Sequence, residues 1–169
     1  ITLPLSIMML IITAGCSKHS ITETSAIGPY SNFSGRLIMI EPKRRWQVML
    51  DWRAASPDQG SVRLTHAATG TVVEFRWLKD QMQLRSNESR FWKEVNNEQL
   101  AEQGIVIPPQ QLASILLGKM PSHFKRKKAG VWESRNSGDL IRLQWYQNEQ
   151  KLVLTDIKHG RRAMVLIRP

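Results

Sequence analysis

The spacing of apolar and polar positions changes period twice along the chain, dividing it into strands, then helices, then strands again. Residues 35–40 form an apolar run ending at Glu41 and Pro42, as expected of a strand that runs into a turn. The next segment is clearer: Trp46, Val48, Leu50 and Trp52 alternate with Gln47, Met49, Asp51 and Arg53, giving one strongly apolar face and one mostly polar one. Ser56, Pro57, Asp58, Gln59 and Gly60 then supply turn chemistry. Val62 and Leu64 alternate with Arg63 and Thr65, a turn follows over residues 66–70, and Val73, Phe75 and Trp77 alternate with Glu74 and Arg76. Lys79 and Asp80 turn the chain again into Met82 and Leu84. Connections this short mean antiparallel pairing.

The middle of the chain reads as helix. Asn97 is the expected N-cap of a short helix through Leu100 and Ala101 that stops at Gly104, and Pro108 with Pro109 opens a second that ends at Gly118. Leu112, Ile115 and Leu116 fall at i, i+3 and i+4 and form one stripe, which must cover an apolar surface. A basic loop is expected over residues 119–130. Strands then return: Ile141, Leu143 and Trp145 alternate with Arg142 and Gln144, and residues 151–155 and 163–167 follow, joined by turns at Asn148 and Glu149 and at His159 and Gly160. The order predicts a mainly β fold, a half-open antiparallel β-barrel with a small helical lid over its mouth or concave face. No internal repeat is present.

The first residues follow neither period. Residues 3–14 are an apolar stretch too short to span a bilayer but of the length of a signal-peptide core. Thr13, Ala14 and Gly15 are small and lead directly to Cys16, the single cysteine, which excludes both an internal disulfide framework and a cysteine-rich metal site. Small residues before a cysteine resemble a lipobox, whose cysteine is acylated and becomes the first mature residue. Thr13 departs from the usual leucine, and no Lys or Arg precedes the apolar run, which points to a truncated N-terminus in front of Ile1. Residues 1–15 are therefore expected to be a signal peptide, residues 16–32 a lipidated cysteine with a Ser-, Thr-, Gly- and Pro-containing tether, and residues 33–169 one folded domain. Two acyl chains anchor a protein stably, since each buried methylene contributes about 0.8 kcal/mol.

Composition narrows the function. A net charge of +10 on 169 residues favours acidic partners. Export argues against nucleic acid and leaves anionic lipid or an acidic protein. The cations cluster at Lys43, Arg44 and Arg45, at Lys119 through Lys128, with Lys125, Arg126, Lys127 and Lys128 consecutive, and at Lys158, Arg161 and Arg162. They read either as solvated turns or as a binding face. Catalytic chemistry is missing: the four histidines, His19, His66, His123 and His159, share no metal-ligand spacing, and neither H-E-x-x-H nor G-x-S-x-G occurs. No catalytic residue, metal or cofactor is expected. Six tryptophans is a high count, and Trp46, Trp52, Trp77 and Trp145 share the apolar phase of strands. Such a row either fills a core or lines a ligand cavity, and periodicity does not separate the two.

Three stretches, in order, resemble the outer-membrane lipoprotein receptor family LolB. Phe33, Ser34, Gly35, Arg36 and Leu37 with residues 46–52 look like its opening strands. Arg63, Leu64, Thr65 and the turn to Gly70, then residues 72–75, look like its strand, protruding loop and return strand. Most specific are Gly104, Ile107, Pro108, Leu112, Leu116, Leu117, Gly118 and Pro121, which match its glycine, proline, spaced leucines and closing glycine and proline. The resemblance extends over residues 33–167. It implies a half-open barrel whose apolar cavity, lined by Trp46, Leu50, Trp52, Leu64, Phe75 and Trp145 under a lid of Leu112, Ile115 and Leu116, accepts lipoprotein acyl chains. The implied donor is the acidic periplasmic carrier LolA, facing the clusters at 43–45 and 125–128, of which 125–128 is the better candidate because it follows the lid helix directly. The implied site is the periplasmic side of the outer membrane, where the protein acts as a lipid-anchored monomer; Ser17 after the cysteine, rather than aspartate, fits that sorting. The family's protruding loop carries an exposed leucine tied to membrane insertion, whereas the corresponding turn here reads His66, Ala67, Ala68, Thr69, Gly70. A lipid-binding module without transport, and a structural envelope lipoprotein with a filled core, are the competing functions.

Overall fold

The computed structural model describes residues 27–136 and 138–168. Cys16, His19, the signal segment and most of the expected tether lie outside these residues.

The strongest alternation in the sequence gives the longest strand. Strand β2 (Arg44–Ser56) buries Val48, Leu50, Trp52 and Ala54 and exposes the residues between them. It pairs on one side with β1 (Asn32–Glu41) and on the other with β3 (Gln59–Thr65), followed by β4 (Val72–Leu78) and β5 (Gln81–Ser86), each antiparallel to the last. A short strand, β6 (Lys93–Val95), extends this half. Helices α1 (Asn97–Glu102) and α2 (Pro109–Leu116) follow. The second half is β7 (Phe124–Lys128), β8 (Val131–Asn136), β9 (Asp139–Tyr146), β10 (Lys151–Asp156) and β11 (Arg161–Arg168).

The two halves are joined by the first and last strands. β1 pairs with β11 from Ser34 opposite Arg168 to Ile40 opposite Arg162, so the sheet runs β6-β5-β4-β3-β2-β1-β11-β10-β9-β8-β7. Gly35 permits this junction, because a Cβ there would lie 2.1 Å from the Leu166 carbonyl oxygen. The open edges are consequently β6 and β7, which the chain connects through the helices. The sheet is eleven-stranded and not closed, and the helices cover its apolar face. This is the half-open barrel with a small lid that the alternation predicted.

Four local expectations change. Asn96, not Asn97, caps α1: its side chain accepts from the Gln99 N–H at 2.9 Å while the Gln99 side chain accepts from the Asn96 N–H at 3.0 Å. A reciprocal box satisfies two otherwise orphaned donors, which outweighs the equal propensity of the neighbouring Asn. Residues 124–128, expected in a basic loop, form the edge strand β7. Four consecutive cations hide the alternation there, but only Phe124 needs burial, and lysines on an edge strand oppose pairing with another sheet. The packed body also starts before Phe33: Ile27 is fully buried, the Tyr30 N–H donates to the Leu116 carbonyl at 2.7 Å, and the Ala54 N–H donates to the Ser31 carbonyl at 2.8 Å. Residues 27–31 thus lie across the end of α2 instead of serving as tether. In the last hairpin pair, the turn expected at Asn148 and Glu149 is a short 3₁₀ turn over Gln147–Glu149.

Candidate functional site

The inward faces of β2, β3 and β4 do not meet the helices everywhere, and a cavity of about 340 Å³ is left between them. Its wall is built by alternation: Trp46, Leu50 and Trp52 from β2, Leu64 from β3 and Phe75 from β4. Val48, Val62, Val73 and Leu84 fill the same phase, and Leu37 and Val165 enter from β1 and β11. Leu100, Ile105, Ile107 and Leu112 close it from the helical side. The polar groups in the lining are few: His66, Thr71 and Gln103. The volume falls at the small end of the roughly 300–1,000 Å³ usual for ligand pockets, and the near-absence of polar lining suits an apolar guest with no charged group buried beside it.

The expected site residues divide. Five of the six residues assigned to the cavity line it: Trp46, Leu50, Trp52, Leu64 and Phe75. Trp145 does not. It is buried on β9, with its ring 5.9 Å from that of Tyr30, in the part of the sheet where Trp132, Leu143 and Leu152 pack as core. Among the described residues none of the cavity lining comes from β7, β8, β9 or β10. The sheet is hollow on its N-terminal half and filled on its C-terminal half, which answers for each half separately the choice that periodicity left open.

The lid stripe divides in the same way. Leu112 faces the cavity, whereas Ile115 and Leu116 are fully buried in the core and fix α2 in place. The Gln110 side chain donates to the Lys79 carbonyl at 3.1 Å and ties the start of the helix to the β4–β5 turn. α1 is held at the opposite end of the strands, where Arg161 donates to the Ala101 carbonyl at 3.1 Å. Of the apolar cavity residues on the helical side that the sequence did not assign, Leu100 lies on α1, and Ile105 and Ile107 lie between the helices, where no periodicity marks them.

The β3–β4 turn stands at the rim. Ala67, Ala68 and Thr69 are exposed, while His66 and Thr71 at its base line the cavity. The turn is closed by the Gly70 N–H donating to the His66 carbonyl at 2.9 Å, and the Thr69 hydroxyl lies 3.0 Å from His66 Nδ1.

The two basic clusters have different surroundings. Lys43, Arg44 and Arg45 are exposed at the β1–β2 turn, directly before the cavity residue Trp46. Within that cluster Arg44 is committed to Glu41, with Nε donating at 2.5 Å. That hydrogen bond, helped by the charges of Arg44 and Arg161, holds the Glu41 carboxyl below the usual carboxylate range against the opposing effect of desolvation. Lys125, Arg126, Lys127 and Lys128 lie instead on the exposed edge strand β7, and Lys127 approaches Glu133 at 3.9 Å. Among the described residues no three His, Cys, Asp or Glu side chains gather as a metal site requires, and no described helix is long and apolar enough to cross a membrane.

The comparison with curated proteins gave no match. The family profile described as Outer membrane lipoprotein LolB matches residues 31–159, a span from the first strand through the last hairpin turn that contains every cavity-lining residue except Val165. With that match over most of its length, the chain belongs to the LolB family of outer-membrane lipoproteins, a lipoprotein-trafficking and non-enzymatic family of the Lol pathway.

Proposed function

We propose that this protein is a lipoprotein receptor: it takes the acyl chains of a lipoprotein from an acidic periplasmic carrier of the LolA type into the cavity beneath α1 and α2, and inserts them into the outer membrane. The observation that carries the reading is the cavity itself, an unfilled apolar space of about 340 Å³ walled by Trp46, Leu50, Trp52, Leu64 and Phe75 in a chain of this family. Each methylene transferred from water into such a wall gains about 0.8 kcal/mol. Several buried methylenes therefore suffice for retention. No step needs a cofactor or a bond made or broken.

In this reading Lys43 and Arg45 steer the carrier, because they stand beside the rim and Arg44 is held by Glu41. Residues 125–128, the better carrier-facing candidate by sequence, lie on the edge strand β7 and are read as protecting that edge instead. Cys16 carries the acyl anchor, which keeps the body, as a monomer, on the periplasmic face of the outer membrane.

The test is transfer. Mixing the protein with a lipoprotein-loaded carrier should move the lipoprotein onto it, and an apolar fluorescent probe bound in the cavity should be displaced as it arrives. Probe binding without lipoprotein transfer would instead make the protein a tethered lipid-binding module. Absence of probe binding at micromolar concentration would return it to a structural role.

A further inference from the structure

Phe91 is 79% exposed, the most exposed large apolar side chain among the described residues. Phenylalanine is a type usually found inside, and a single exposed one carries little meaning on its own. Here its setting is specific.

The segment that bears it, residues 87–92 between β5 and β6, is fastened to the turn at the cavity rim. The Asn87 N–H donates to the Val72 carbonyl at 2.9 Å, the Val72 N–H donates to the Asn87 side-chain oxygen at 3.1 Å, and the Asn87 amide donates to the Gly70 carbonyl at 3.1 Å. The next residue, Trp92, is held on the outer face of the sheet with Arg76 4.0 Å and Arg85 4.6 Å from its ring. Arg76 is itself bonded to Gln83, and Arg85 to Glu74. Trp92 is thus clamped, and Phe91 is presented outward from a braced segment, beside a turn whose own tip offers only Ala67 and Ala68.

Arg90 and Lys93 stand on either side of Phe91 and Trp92 in the sequence and are exposed, as are Glu88 and Glu94 beyond them. An exposed apolar ring on a short segment that also carries two exposed long cationic side chains fits a membrane interface, where the ring enters the acyl boundary and the cations reach back to headgroup phosphates. We propose that Phe91 is the residue by which the rim of the cavity enters the surface of an anionic bilayer, with Arg90 and Lys93 on the phosphates. For delivery of cargo this rests on the receptor reading above; for membrane contact it does not.

The experiment replaces Phe91 in the full chain with the photoreactive p-benzoylphenylalanine, and Leu78, which is 55% exposed at the opposite end of β4, as the comparison. The protein is placed with vesicles of phosphatidylethanolamine and phosphatidylglycerol and irradiated. Lipid adducts at 91 and not at 78 are expected. Adducts to protein alone at 91, or equal lipid adducts at both positions, overturn the proposal. In parallel, Phe91→Ser should reduce delivery of carrier-loaded lipoprotein to the same vesicles by about tenfold, the size expected for losing part of one Phe burial. Binding of the apolar probe in the cavity should be unchanged. Unimpaired delivery by Phe91→Ser overturns the role in delivery. If the probe binds neither protein, the receptor reading falls and the adduct at 91 alone decides the membrane contact.

Discussion

Trp77 lies directly over Gly60: a Cβ on residue 60 would come within 2.3 Å of the indole Cζ2. The ring is fixed there by its N–H donating to the Pro57 carbonyl at 2.9 Å, and its centroid is 5.3 Å from that of the cavity residue Trp52. The missing side chain at 60 therefore leaves the space that the Trp77 indole occupies against Trp52. Gly60→Ala should destabilise the fold by about 1–3 kcal/mol, the usual cost of overpacking, read as a lower urea midpoint with unchanged slope. An unaltered midpoint would mean that the indole shifts freely.

The two ends of the lid stripe should respond differently to truncation. Ile115→Ala removes a fully buried side chain and should cost about 2–5 kcal/mol of stability. Leu112 lines the cavity and is only partly buried, so Leu112→Ala should cost less and instead change the affinity for an apolar probe. Equal stability losses with unaltered probe affinity would contradict the division.

Charge steering by the rim cluster predicts that Lys43→Gln with Arg45→Gln slows carrier association at low salt by on the order of tenfold and flattens its salt dependence, with probe binding retained. Stopped-flow association across a salt series measures it. Neutral substitutions at Lys125, Lys127 and Lys128 should leave that rate nearly unchanged and, by removing charge from the β7 edge, increase self-association in light scattering.

The Glu41–Arg44 pair gives a pH dependence of known sign. Glu41 titrates below the usual carboxylate range because Arg44 donates to it. The pair's contribution is therefore fully present above the ordinary Glu value and is lost as pH falls through the lowered one. Both groups are in contact with solvent, so the effect on global stability is small and salt-sensitive. The site-specific readout is a carboxyl titration by NMR, in which Arg44→Ala should return Glu41 upward to the ordinary range.

At the start of the chain, outside the described residues, Cys16→Ala should leave an uncleaved precursor without added lipid mass, measured on protein recovered from envelopes. Mature protein with an intact, lipid-free Cys16 would remove the anchor.

The sequence by itself determined the inward and outward faces of β2, β3 and β4, because a strand's period of two assigns every side chain once a few are apolar. It also marked the two helices through their bounding glycines, prolines and stripe, though it placed the cap of α1 one residue late. Five cavity residues were legible for that reason. It did not show that Trp145, in the same phase as Trp52, belongs to a filled half, since periodicity gives direction and not what lies opposite. Nor did it show β7, where Lys125, Arg126, Lys127 and Lys128 carry no alternation and pairing with β8 supplies the strand.

Only the tertiary structure decided what stands in front of each inward face. Pairing of β1 with β11 puts the chain's break at the helices, and Ile115, Leu116 and Ile27 then fill one side while Leu112 spans the other. The hollow is where packing leaves the two layers apart, which depends on contacts between residues distant in sequence and so has no local signature. The exposure of Phe91 is of the same kind: its neighbour Trp92 is taken up by Arg76 and Arg85 from two other strands, and the ring beside it is left facing outward.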